Sequence, residues 1–201
     1  MIKNIIFDIG RVLVSVNWQE LMKELNFDSE TEAAVTRAMW QNPDWRELDR
    51  GAITDEQALC LLIEKEPRYE REIRKTFANF GKLVEMKDGV IEMIDSLKAD
   101  GFGVYYLSNY FEYLMHTAPQ ALDFIPHTDG GVFSCHVKIT KPDRRIYEIL
   151  CEKYSLDPTE CIFIDDTQAN LTAAEELGIS TILMTDQTIP ELHEQIIKAV
   201  K

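Results

Sequence analysis

The run Lys3-Asn4-Ile5-Ile6-Phe7-Asp8-Ile9-Gly10-Arg11 opens almost wholly apolar and then meets a carboxylate. Apolar residues at consecutive positions bury both faces of a strand, and such strands belong to parallel sheets covered by helices. The rest of the chain repeats the arrangement. Gly103-Val104-Tyr105-Tyr106-Leu107 stops at Ser108-Asn109, Glu160-Cys161-Ile162-Phe163-Ile164 stops at Asp165-Asp166, and Ser180 to Met184 is a last strand. Helical spacing fills the intervals. Val90, Ile91, Met93, Ile94 and Leu97 make one face, closed by Asp100-Gly101. Pro142 to Tyr154, Asn170 to Leu177 and Ile189 to Val200 are further helices, the first with proline near its first turn, as helix geometry permits. Strands alternating with helices predict an α/β fold with a doubly wound parallel sheet.

Between Trp18 and about Glu85 the texture changes. Leu21 and Leu25, then Ala34, Val35, Ala38 and Met39, then Ala58, Leu59, Leu61 and Leu62, then Ile73, Phe77 and Phe80 recur at three or four residues. Pro43, Gly51, Pro67 and Gly81 punctuate them, and Thr54-Asp55-Glu56 reads as a helix start. No strand pattern is evident here. Residues 17–86 are therefore expected to form a helical unit inserted after the first strand, with 1–16 and 87–201 making the α/β core. Within that core, Val132 to Val137 reads as a short strand.

Composition narrows the function. The chain has 201 residues, 45% hydrophobic and 28% charged, enough to bury a core without staples. Asp and Glu number 35 against 21 Lys and Arg, a formal charge of −14. That balance repels phosphate backbones and anionic lipid, so neither nucleic acid nor a membrane surface is an expected partner. No apolar run is long enough to span a bilayer, and Asp8 interrupts the first one too early for a signal peptide. Cys60, Cys135, Cys151 and Cys161 show no metal-ligand spacing and read as buried or idle thiols of a reducing, cytoplasmic compartment.

In an open parallel sheet, ligands bind beyond the carboxyl ends of the strands. Asp8, Ser108-Asn109 and Asp165-Asp166 stand at such ends, and Lys141 lies just before Pro142. Carboxylates beside one lysine suit a hard divalent cation and a phosphate. Mg²⁺ takes oxygen ligands, usually one or two carboxylates plus phosphate oxygens, and a lysine and a serine can hold the remaining oxygens.

The order Asp8 in F-D-I-G-R-V-L, Ser108 in Y-Y-L-S-N, Lys141 in K-P-D-R-R-I-Y and Asp165-Asp166 in I-F-I-D-D-T-Q-A-N resembles the four motifs of the haloacid-dehalogenase-like hydrolases. The helical block is similar to that superfamily's C1 cap. The branch most resembled contains small sugar-phosphate phosphatases, alpha-D-glucose-1-phosphate phosphatase among them, and the phosphatase domain of soluble epoxide hydrolase. The resemblance implies a phosphatase of a small phosphomonoester, a sugar phosphate first among them. Asp8 would be the nucleophile that forms an aspartyl-phosphate. Ser108 and the backbone N–H of Asn109 would hold phosphate oxygens, and Lys141 would neutralise both Asp8 and the phosphoryl group. Mg²⁺ would be held by Asp8, the Gly10 carbonyl and Asp166, with Asp165 acting through water.

One position departs from the family pattern. Where a second aspartate usually serves as general acid and base, this chain has Gly10, followed by Arg11. Three readings stay open: a phosphatase that handles the proton otherwise, a metal-independent dehalogenase-type hydrolase, or a protein that binds a phosphate ligand without turnover. A dehalogenase would also need a cap arginine, for which Arg37 and Arg46 are available. Arg11, Trp45 and Arg46, with Trp18, Trp40 and Arg50, are the candidates to line the substrate cleft. Specificity and oligomeric state are not readable from the sequence.

Overall fold

The computed structural model describes residues 1–42 and 45–200; Pro43, read above as punctuation, lies outside them. The chain opens with β1 (Asn4–Phe7) and β2 (Val14–Val16). Helices α1 (Trp18–Leu25), α2 (Ser29–Ala38), α3 (Trp45–Asp49), α4 (Asp55–Lys65) and α5 (Glu70–Ala78) follow. After β3 (Val84–Met86) come α6 (Val90–Ala99), β4 (Gly103–Ser108), α7 (Glu112–Thr117), β5 (Gly130–Phe133) and α8 (Ser134–Val137). The chain closes with α9 (Arg144–Tyr154), β6 (Cys161–Asp165), α10 (Gln168–Glu175), β7 (Ser180–Leu183) and α11 (Ile189–Val200).

Five strands form a parallel sheet in the order β5-β4-β1-β6-β7. β1 is central, with Phe7 in register with Tyr106 on one side and Ile164 on the other. Successive side chains of a strand point to opposite faces, and here both faces are covered. Ile5 and Phe7 join one apolar cluster with Met93, Leu97, Leu192 and Ile196, from α6 and α11. Ile6 joins the other with Ile146, Leu150, Leu171 and Ala174, from α9 and α10. This two-sided burial is why residues 3–9 read as a continuous apolar run. Each such side chain contributes roughly 1.5–3 kcal/mol when fully buried.

Helices α1 to α5 lie between β2 and β3, which pair antiparallel with Val14 opposite Met86 and Val16 opposite Val84. The start of α4 is a capping box, Thr54 accepting from the Gln57 N–H and Gln57 from the Thr54 N–H. Three local expectations need correction. β3 puts a strand at Val84–Met86, in a stretch read as strandless, because three residues are too few to show a two-residue period. The expected strand Val132–Val137 ends at Phe133 and turns into α8. There Ser134 is engaged by tertiary hydrogen bonds, and Lys138, in the left-handed region, closes the turn onto the Ser134 carbonyl. Finally, α9 starts at Arg144 and not at Pro142, because Asp143 caps it by accepting from the Arg145 N–H.

Candidate active site

Asp8 is the residue at which β1 leaves the sheet, its N–H still bonded to the Ile164 carbonyl at 2.8 Å. Beyond it the chain folds back tightly. The Leu13 and Val14 N–H groups both donate to the Ile9 carbonyl, and Arg11 takes a left-handed φ of 60°. Ser108 ends β4 beside it and Asp165 ends β6 on the other side, so the central strand and its two neighbours bring three polar ends together.

Lys141 reaches this edge from the loop before α9. Its Nζ lies 2.8 Å from Asp8 Oδ1 and 2.6 Å from Asp165 Oδ2, and the residue is buried. The Asn109 side chain fixes that loop, accepting from the Lys141 N–H at 2.8 Å and donating to the Lys141 carbonyl at 3.1 Å. Asp165 is fully buried and fully occupied. Besides Lys141, it accepts from the Thr167 N–H at 2.8 Å and from Asn170 Nδ2 at 3.0 Å. Tyr147 donates to the Asn170 carbonyl and steadies it in turn. Asp166 is more open, with one oxygen accepting from Thr167 Oγ1 at 3.2 Å and the other 3.4 Å from Arg11 Nη1.

Oxygens of Asp8, Asp165 and Asp166 all lie within 4.8 Å of one another. Three carboxylates against the buried Lys141 ammonium and the exposed Arg11 guanidinium leave an excess of negative charge. Burial pushes the Asp8 carboxyl up to about 6; Lys141 opposes this, while the charge of Asp165 adds to it. Burial also works against the charge on Lys141, but Asp8 and Asp165 outweigh it and hold the ammonium above its ordinary value. Asp8 Oδ1 is buried without a directed hydrogen bond, facing the Lys141 ammonium at 2.8 Å, while Ser108 hydrogen-bonds the same carboxyl. A buried, under-satisfied oxygen among hard oxygen donors is a fit place for a metal ion.

Over the edge sits a cavity of about 280 Å³, lined by Gly10 and Arg11 from the turn and by Trp18, Trp40, Trp45 and Asp49 from the helical insertion. The three tryptophans form a chain of tilted rings, Trp18 to Trp40 at 6.0 Å and Trp40 to Trp45 at 5.4 Å, with Phe111 edge-on to Trp45 at 5.5 Å. A second recess next to it carries Trp45, Arg46, Asp49, Asn109 and Lys141. Arg11 and Trp45, expected to line the substrate cleft, both line the aromatic cavity. Arg46 lines the second recess and a neighbouring one with Arg50 and Lys141 but not the aromatic cavity, and Arg37 is committed to Glu66 at 2.7 Å on the insertion's surface. The sequence reading missed Asp49, Asn170 and Thr167. Only Asn170 and Thr167 had a signal, their place just after the Asp165-Asp166 pair.

Comparison with known proteins adds family context. A family model described as haloacid dehalogenase-like hydrolase matches residues 2–178. The bifunctional epoxide hydrolase 2 of Sus scrofa is 32% identical over 107 residues, covering 49% of this chain and 19% of that protein. The chain therefore spans about a fifth of that relative's length. The sesquiterpene phosphatase astK of Aspergillus oryzae is 25% identical over 196 residues, covering 96% of each chain. A HAD family enzyme from Bacteroides thetaiotaomicron, solved with magnesium and inorganic phosphate, superposes with a TM-score of 0.70 at 20% identity, over 96% of this chain and 99% of that one. No helix among the described residues is long and apolar enough to cross a membrane.

Proposed function

The chain belongs to the haloacid dehalogenase-like hydrolase family, and on that premise we propose that it is a magnesium-dependent phosphatase acting on a small phosphomonoester. The observation that carries this is the charge arithmetic of the strand ends. Asp8, Asp165 and Asp166 outnumber Lys141, and a divalent cation together with a phosphate completes the set. The sesquiterpene phosphatase and the magnesium- and phosphate-bound relative support the same reading.

Asp8 attacks phosphorus and forms an aspartyl-phosphate, an acyl phosphate that water readily hydrolyses. The Ser108 hydroxyl, the Asn109 N–H and the Lys141 ammonium hold the phosphoryl oxygens as charge shifts onto them, which is most of what phosphoryl transfer requires. Asp8, Asp166 and the Gly10 carbonyl would hold Mg²⁺, which when bound neutralises charge on the phosphate. Asp165 places Lys141 and would act on the ion only through water. Residues 17–86 act as a cap that selects the substrate. The tryptophan walls offer flat faces to a ring, and Trp40 Nε1 and the Tyr110 hydroxyl are buried without partners among the described residues, so a sugar phosphate is the first class to test.

The test is turnover of p-nitrophenyl phosphate and a panel of hexose phosphates, with Mg²⁺ and with EDTA, alongside Asp8→Asn. Turnover that needs the metal and disappears in the variant is the expected result. Hydrolysis of a haloacid indifferent to EDTA would replace this reading with the dehalogenase one. Ligand binding without any turnover would replace it with the binding-protein reading.

A further inference from the structure

Gly10 deprives the β1 end of a proton donor, and the space that a side chain would fill there is open. A Cβ built on Gly10 meets nothing within 4 Å, and the residue faces the aromatic cavity. Asp49, the last residue of α3, lines that same cavity from the cap. It also lines the adjoining recess that reaches Lys141. Among the described residues no hydrogen bond or ion pair engages the Asp49 carboxyl, whereas Glu47 on the same helix lies 3.4 Å from Arg50.

The Asp49 backbone is anchored on the core. Ser134 Oγ donates to the Asp49 carbonyl at 2.5 Å, and Lys138 Nζ donates to the Gly51 carbonyl at 2.5 Å. Ser134 accepts in turn from the Tyr110 N–H at 3.0 Å, two residues beyond Ser108. The cap segment bearing Asp49 is thus tied to the segment carrying the phosphate-holding groups. The charges that act on Asp49 are those of Asp8, where β1 ends, and Lys141 before α9; Arg11 lines the same cavity but turns its guanidinium to Asp166. Burial first, then the charge of Asp8, push its carboxyl up to about 7 against the pull of Lys141.

We propose that Asp49 is the general acid and base of the reaction, supplied by the cap in place of the carboxylate that Gly10 lacks. The inference rests on the phosphatase reading. As an Asp8 oxygen bonds to phosphorus, the bond from phosphorus to the ester oxygen breaks, and protonated Asp49 gives its proton to that oxygen so that it leaves as an alcohol. Water then attacks phosphorus and passes a proton to the Asp49 carboxylate. Phosphate departs, Asp8 is freed, and Asp49 is protonated again.

The experiment compares wild type, Asp49→Asn, Gly10→Asp and the double variant on a hexose phosphate and on p-nitrophenyl phosphate, whose leaving group needs no proton. The readout is kcat/KM, which counts only steps through departure of the leaving group. Asp49→Asn is expected to lose on the order of 10²-fold or more on the hexose phosphate and about tenfold less than that on p-nitrophenyl phosphate. The wild-type pH profile should lose one limb in Asp49→Asn, and Gly10→Asp should restore hexose phosphate turnover in the Asp49→Asn background. Equal losses on both substrates, or an unchanged pH profile, would overturn the assignment even with the phosphatase intact. A wild type that turns over neither substrate would instead remove the reading beneath it.

Discussion

At the scale of single residues, the site is a set of charges that cannot all be satisfied from within the protein. Asp165 spends its oxygens on Lys141, Thr167 and Asn170, so its role is to hold the lysine. Asp8 and Asp49 carry unmet demand, and that demand has a consequence for stability. A carboxyl whose folded pKa is raised favours the folded state at low pH and penalises it as pH rises through the folded value. For Asp49 the folded value is about 7, above the ordinary 3.8. Asp49→Asn should therefore raise the Tm at about pH 8, and the gain should shrink to nothing by roughly pH 4. A thermal melt of both proteins across that range checks it. A gain independent of pH would show that the carboxyl is not strained by burial. Stability given up at a functional carboxyl is a familiar trade.

At the scale of elements, the contact that matters most is α3 against α8. Ser134 is fully buried and serves both sides at once, donating to Asp49 and accepting from Tyr110. Ser134→Ala leaves a buried N–H and a carbonyl without partners, each costing about 1–3 kcal/mol. The expected outcome is a lower urea midpoint together with a fall in hexose phosphate kcat/KM, since Asp49 loses its anchor. A variant with wild-type stability would show that water replaces the hydroxyl. The elements also show where local pattern misleads. Val132 to Val137 has the composition of a strand, but Ser134 finds its partners only when the chain turns into a helix. The helix start at Thr54-Asp55-Glu56, by contrast, is legible in the sequence because the capping box that makes it is closed within four residues.

At the scale of the whole molecule, a formal charge of −14 surrounds a site for which we propose a dianionic substrate. Long-range repulsion slows encounter and is screened by salt, with a Debye length of about 30 Å at 0.01 M and about 8 Å at 0.15 M. Raising ionic strength over that range should increase kcat/KM for a phosphomonoester while Mg²⁺ is kept saturating; a decrease would mean that Lys141 and Arg11 dominate the approach. By itself the sequence determined the α/β class, the parallel strands and the polar residues at their ends. An apolar run buried on both faces, and the point where it stops, are properties of neighbouring residues. It also exposed the vacancy at Gly10, since a missing carboxylate is visible in the motif. Only the tertiary structure decided what stands opposite that vacancy. Asp49 is one acid among many on a charged insertion, and nothing local separates it from Glu47 or Asp55. Its setting comes from α3 resting on α8, a contact between segments more than eighty residues apart in the chain. The partial burial and the nearby charge of Asp8, which give the carboxyl its character, exist only once that contact is made.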